Sequence, residues 1–420
     1  MYVRGNQAHA EFYVEEATGD IVDDAIYNRN LAVSERLNVK LEFREEDGDY
    51  ANRAKFVSII SQSILAGDEA FDIAAGYSMS IASMAADGLL RDLTSTDYLD
   101  FDQPWWSNKL LTQTTVGGKL YFASGDISTN MLYYMYATFF NKALLENFKL
   151  ENPYELAKNK KWTIDKMASM AKNVYADLNG NNRKDADDQF GYAAHELFND
   201  AYYFTSGLTY TKLDSDGMPV LTDDLMSERA ADLVAKLNTL FHTTNDFFID
   251  TVENTFETGN ILFQTSELEM AKLLRDVSFE FGIVPVPTYD EGVDFVTVAS
   301  FPVTFYSIPI DAKDPDMSSA VLEALAAESH YTVVPALFET AMKVKYTSDD
   351  DAAQMFDIIR ESMCFDFGRI FNDSLNAKTF SIFRSAIANN TSSWSSTVTS
   401  QFEVLTTSFD KLIAKFEVTD

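Results

Sequence analysis

Apolar Ala10, Phe12 and Val14 alternate with polar Glu11 and Glu15, which predicts a half-buried strand near the start of the chain. From Asp20 the apolar positions fall at Ile21, Val22, Ala25, Ala32 and Val33, the spacing of a helix with Asp20 as its N-cap. Val39, Leu41 and Phe43 alternate with Lys40, Glu42 and Arg44 and predict a second strand. Phe56, Ile59, Ile60 and Ile64 predict a second helix, stopped by Gly67-Asp68, and Phe71 to Ala75 a third strand ending at Gly76. Strands alternating with helices imply a parallel sheet covered by helices. Ligands of such sheets lie beyond the carboxyl ends of the strands, here at Gly76-Tyr77-Ser78.

The middle of the chain is mixed. Leu120 to Phe122 and the aromatic run Met131 to Phe140 are expected as strands, and Thr163 as the cap of a helix carrying Ile164, Met167 and Met170. Phe279 to Pro285 is expected as a strand, and Phe295 to Ile310 as extended chain broken by Pro302 and Pro309. The final stretch is expected to be helical at 317–329, 331–342, 349–363, 379–387 and 397–416. Neither an internal repeat nor a low-complexity linker is apparent, so the chain is expected to cross between domains more than once.

Length and charge narrow the function. The 420 residues suffice for two or three domains. The 33 Lys+Arg against 65 Asp+Glu leave a net charge of −32, which repels phosphate backbones and argues against nucleic-acid binding. No apolar run reaches the ~18 residues of a membrane span. The 32 Phe and 20 Tyr provide rings for both a large core and a binding cleft. Cys364 stands alone and is read as a small buried hydrophobe. The opening Met1-Tyr-Val-Arg-Gly-Asn6 is polar and shows no secretory leader.

The sharpest local motif runs from Asp177 to Asp188. Oxygen side chains at Asp177, Asn179, Asn181, Asp185 and Asp188, with the Arg183 carbonyl, follow the spacing of a twelve-residue Ca²⁺ loop. Two positions depart from it: Asn182 stands where Gly is usual, and Asp188 where a longer Glu is usual. A structural Ca²⁺ is expected; a solvated acidic loop is the competing reading.

Catalytic patterns are missing: His9, His195, His242 and His330 form no metal motif, and no phosphate-binding Gly loop or nucleophile elbow occurs. Aromatic residues set among polar ones stand out, namely Trp105-Trp106, Tyr133 with its neighbours, and Trp394 in a Ser/Asn/Thr-rich stretch. Such rings stack on sugar faces while nearby Asp, Asn and Ser bind hydroxyls, though packing remains the alternative for each.

Taken in order, several segments resemble the extracellular solute-binding proteins of bacterial ABC importers, in the large group that mostly binds carbohydrates (carbohydrate-binding family 1 type). They are Asp24–Asn30 with Glu35–Val39, Phe71-Asp-Ile73 with Gly88–Leu93, and Phe140-Asn-Lys142. Trp162-Thr163, the Asp177 loop followed by Phe190-Gly191, Phe256–Phe263 and Phe281–Pro287 complete the set. The resemblance implies an α/β fold of two lobes with periplasmic-binding-protein-like (type II) architecture: mixed sheets flanked by helices, and a helical C-terminal part. Lobe one is expected over 1–127 and 301–338, lobe two over 128–300 and 339–420, with crossings near 126–129, 298–302 and 335–342. It further implies a non-enzymatic protein that captures a mono- or oligosaccharide between the lobes and delivers it to ABC permease subunits. An extracellular or periplasmic monomer is expected, held to a membrane only through a lipid-anchor cysteine that this chain lacks. The same scaffold binding a peptide or polyol, or a glycan-active enzyme, are the alternatives. By loop position and residue type the candidate ligand residues are Tyr77, Ser78, Trp105, Trp106, Asp126, Asn130, Tyr133, Phe301 and Trp394.

Overall fold

A computed structural model of the chain describes residues 1–250, 255–338 and 350–417. The helix expected after Asp20 runs Ile21–Leu37, and the Asp20 carboxylate accepts from the Val22 and Asp23 backbone N–H groups. The second helix, Arg53–Ala66, stops at Gly67, whose left-handed φ of 69° suits a residue without Cβ.

Strands Tyr2–Arg4, Arg44–Glu46 and Ala74–Tyr77 pair in parallel, and Thr304–Ser307 returns antiparallel beside the third of them. Alternation along these strands builds two cores. Val3, Ile73, Ala75 and Tyr306 face Val33, Val321 and Leu325, whereas Tyr2 and Ala74 face Phe56 and Ile60. A second sheet holds five strands in the order Phe281–Val284, Tyr136–Asn141, Ile261–Glu267, Phe190–His195 and Phe247–Asp250. Its first two pairings are antiparallel and its last two are parallel. Gly191 lies so close to the helix Ile164–Ala171 that a Cβ there would stand 2.2 Å from the Ala171 carbonyl oxygen. That contact explains why Gly follows Phe190.

Several expected strands differ from the structure. Residues 8–12 form a wide π-helical turn, closed by the Tyr13 N–H on the Ala8 carbonyl, and the first strand is Tyr2–Arg4. Glu11, taken as the polar side of an alternation, is wholly buried, with its carboxylate bound by Thr304 and Tyr306 at 2.8 and 2.7 Å. Residues 39–43 approach the sheet unpaired, and pairing begins at Arg44. The third strand starts at Ala74, later than expected. Leu120–Phe122 is no strand; only Ala123 bridges Tyr306. The run Met131–Phe140 divides into a helical turn, Thr129–Tyr133, capped by the Ser128 hydroxyl, and the strand Tyr136–Asn141. The C-terminal expectation fares better, with helices at Pro315–Glu328, Asp350–Glu361, Lys378–Ala388 and Trp394–Glu417. The end of the crossing expected at 335–342 lies outside the described residues.

Candidate functional site

A cavity of about 470 Å³ opens where the strand ends of the first sheet meet the second sheet and the helix Lys378–Ala388. Arg4 and Tyr77 reach it as the last residues of their parallel strands, the position such sheets reserve for ligands. Tyr136 opens its strand and Glu267 closes another on the opposite wall. Phe380 and Arg384, one helical turn apart, form a third side, with the guanidinium 4.3 Å above the ring. Tyr50 stands at the mouth beneath Arg53, whose guanidinium lies 4.0 Å from the ring and also pairs with Asp373 at 2.8 Å.

Burial tunes the lining. It pushes the Tyr77 and Tyr134 phenols well above their ordinary range and Tyr136 to about 12, so all three stay neutral hydrogen-bonding groups. Burial also lowers the pKa of Arg4. Desolvation works against the charge of Arg384 as well, but Asp200, 2.7 Å away, more than compensates and raises its pKa. The cavity therefore offers flat aromatic faces, neutral hydroxyls, guanidinium donors and carboxylate acceptors together.

Of the candidate residues, Tyr77 and Phe301 line this cavity. Ser78 lies behind it, buried, and donates to the Phe301 carbonyl at 2.6 Å. Trp105 and Trp106 sit elsewhere, around a recess of about 150 Å³ that also includes Asp126. Both indole N–H groups donate to Glu323, at 3.0 and 2.9 Å. Asp126 is committed to His330 at 2.6 Å and Arg360 at 3.2 Å. Asn130 spends its amide on Glu11, and Tyr133 is buried under the Lys272 ammonium, 3.1 Å from the ring centroid.

Trp394 is a correction. It begins the last helix rather than lying in a loop; it is 6% exposed, packs edge-on against Phe383 and donates to the Leu225 carbonyl at 3.1 Å. The Ser and Asn residues before it belong to the helix entry, so their polarity said nothing of the ring. Arg4, Tyr50, Phe380 and Arg384 were missed, whereas Tyr134 and Tyr136, neighbours of Tyr133 in the aromatic run, line the cavity. Arg4 had one legible signal, a lone cation after the apolar pair Tyr2-Val3; the others converge only in three dimensions.

The Asp177–Asp188 loop lies at the surface, entering the strand Phe190–His195. Asp177 accepts from Gly180 N at 2.7 Å and Asn182 N at 2.8 Å, and Asn182 takes a left-handed φ of 57°. Asp188 is buried and accepts from Leu178 N and the Tyr175 hydroxyl. The Asn179 and Asn181 amides turn their nitrogens toward Asp185, at 3.2 and 2.7 Å. Among the described residues no three His, Cys, Asp or Glu side chains converge as a metal site.

Solved structures share this architecture at low identity. An ABC substrate-binding protein from Listeria monocytogenes, in complex with cycloalternan, is 14% identical with a TM-score of 0.62, over 97% of this chain and 98% of that one. A cyclo/maltodextrin-binding protein complexed with maltotetraose is 12% identical, TM-score 0.64, with 96% of each chain covered. UgpB from Mycobacterium tuberculosis, in complex with glycerophosphocholine, is 15% identical, TM-score 0.62, over 96% of this chain and 98% of that one. No curated protein matches the chain in sequence. The family described as bacterial extracellular solute-binding protein matches residues 32–329, from within the first long helix to the end of the helix Pro315–Glu328. With a two-lobe α/β fold and a cavity at the strand ends between the sheets, the chain belongs to the bacterial extracellular solute-binding proteins.

Proposed function

We propose that the protein captures a sugar or oligosaccharide in the cavity between its two sheets and hands it to an ABC permease. The observation that carries this reading is the lining: Tyr77, Phe301 and Phe380 offer ring faces beside Arg384 and Glu267 as donor and acceptor. A pyranose presents apolar C–H faces and a belt of hydroxyls, which such rings and charged groups match respectively. Each hydroxyl bound by a charged partner contributes ~1.5–3 kcal/mol. The family, and the saccharides held by two of the similar folds, favour the same ligand class. The reading assigns binding and no catalysis, outside the cell or in the periplasm, by a monomer that a lipid anchor would tether.

The lobe boundaries are proposed as 1–127 with 301–338 and 128–300 with 339–420. In support, the passes near 126–129 and 298–302 run side by side, with bridges from Ala123 to Tyr306 and from Met135 to Ala299. Closure would bend both passes together.

A structural Ca²⁺ in the Asp177 loop is proposed with them. The left-handed Asn182 and the two backbone N–H groups folded onto Asp177 favour it. Asp177, Asn179, Asn181, Asp185 and Asp188, with the Arg183 carbonyl, would hold the ion once the Asn amides turn their oxygens inward.

A thermal-shift screen of saccharides, peptides and polyols tests the main reading. Binding to the native state stabilises by ~2.7 kcal/mol at a hundredfold excess over Kd. Saccharides are expected to raise the melting temperature; a response confined to peptides or polyols overturns the sugar assignment.

A further inference from the structure

Charge is unevenly distributed through the depth of the cavity. Asp49 and Tyr50 are exposed at the mouth, Glu267 and Glu269 are half-buried, and Arg4 is wholly buried. The acids are already engaged: Asp49 accepts from Asn52 N at 2.8 Å, Glu269 meets Lys272 at 3.5 Å, and Glu267 is also partnered.

The deep guanidiniums are not fully engaged. Nη2 of Arg4 donates to the Pro302 carbonyl and, at 2.7 Å, to Thr304 Oγ1, while Nε and Nη1 have no acceptor among the described residues. Glu11, the carboxylate whose field acts on Arg4, accepts from Thr304, Tyr306 and Asn130, and its charge also serves the buried Arg29. On the facing side Arg384 pairs with Asp200 at 2.7 Å; Arg369, behind the Phe301 ring, lies 3.9 Å from the same carboxylate and donates Nη1 to the Ala299 carbonyl, while its Nε and Nη2 have no acceptor among the described residues. Asp366 beside Arg369 does not redress this. Its oxygens are taken by the Tyr210, Thr211 and Arg369 backbone N–H groups, and burial raises its pKa. Guanidinium charge therefore exceeds the carboxylate charge bound to it at the deep end, where screening by water is weakest. A buried guanidinium short of acceptors is costly until something supplies them.

We propose that the ligand carries an anionic oxygen group, a uronic carboxylate or a sugar phosphate, which docks at the deep end between Arg4 and Arg384. The free nitrogens of Arg4 lie just beneath the wall, so docking requires its guanidinium to turn toward Tyr77, whose ring centroid is 6.0 Å from Cζ. Charge-assisted bonds of this kind are roughly twice as strong as neutral ones. The exposed acid at the mouth would hold sugar hydroxyls without cancelling that field.

This inference rests on the sugar reading, and calorimetric titration separates the two. The full chain is titrated with matched pairs: oligogalacturonate against its methyl ester, glucose 6-phosphate against glucose, and neutral maltotriose alongside. The charged member of one pair is expected to bind at least ~10-fold more tightly than its uncharged partner; which pair responds identifies the source of the anion. Neutral saccharides binding as tightly as charged ones overturn this inference and leave the sugar reading standing. Binding by no saccharide overturns the sugar reading, and this inference with it. Arg4→Met, close in shape and uncharged, is expected to fold and to lose the preference. If it does not fold, Arg4→Lys, which keeps the charge with fewer donors, is expected to narrow it. An unchanged preference in the variant that folds counts against Arg4.

Discussion

What an aromatic ring does is decided by where its polar atom and its faces end up. Trp394 satisfies its indole N–H on a backbone carbonyl and packs its ring against Phe383, so it serves the core. Tyr77 closes a strand with its ring at the cavity. Trp394→Ala is therefore expected to cost ~3–5 kcal/mol of stability in chemical denaturation, as other core Trp truncations do. Tyr77→Ala is expected to weaken saccharide binding at least ~10-fold, about 1.4 kcal/mol, in calorimetry. Binding lost in the first variant at unchanged stability would reverse this assignment.

At the scale of elements, the local signals that held are those a single turn can satisfy by itself. Asp20 and Thr163 each accept a backbone N–H at the start of their helices, as short polar side chains before an apolar run should. The Asp177 loop is the same kind of local construction with several acids held close together. Removing a bound Ca²⁺ leaves that repulsion uncompensated, so EDTA is expected to lower the wild-type melting temperature, and Asp177→Ala to abolish the EDTA effect. A wild-type melting curve indifferent to EDTA sinks the metal proposal.

For the whole molecule, the last helix acts as a long brace. Its 24 residues span about 36 Å, from Trp394 bonded to Leu225 to Lys415 paired with Asp87 at 2.7 Å. Phe416 adds a ring contact with Tyr121 at that far end. If the proposed lobes close on a ligand, the far end is carried along, and saturating saccharide is expected to reduce the radius of gyration in small-angle scattering. An unchanged radius on binding would mean that the lobes do not move. The chain should also fail in alkali in a characteristic way. Burial raises the phenols of Tyr77, Tyr136, Tyr192, Tyr203, Tyr210 and Tyr306 above their unfolded value near 10. Below that pH both states are protonated and stability is fully present; above it the unfolded state gains by ionising, so stability falls as pH climbs through the folded values. Denaturation midpoints are expected to drop steeply above pH 10, with part of the tyrosinate absorbance appearing only as the chain unfolds. Tyrosinate absorbance that is complete before unfolding would contradict this burial.

The sequence by itself determined the alternation of strand and helix in the first lobe, the helical C-terminal part, the caps and the solute-binding family. Each depends on near neighbours or on an order of motifs that survives divergence. It also put Tyr77 at the end of a parallel strand, a position legible from periodicity alone. Strand limits slipped by a few residues, since pairing depends on a partner such as Thr304–Ser307, more than two hundred residues from the third strand. Glu11 misled because a buried carboxylate looks polar in a sequence whatever its partners. Only the tertiary structure brought Arg4, Tyr136, Phe380 and Arg384 to one cavity, from a strand of each sheet and a late helix. Only it left Arg4 short of acceptors, because that shortage belongs to the packing around the residue and to no pattern along the chain.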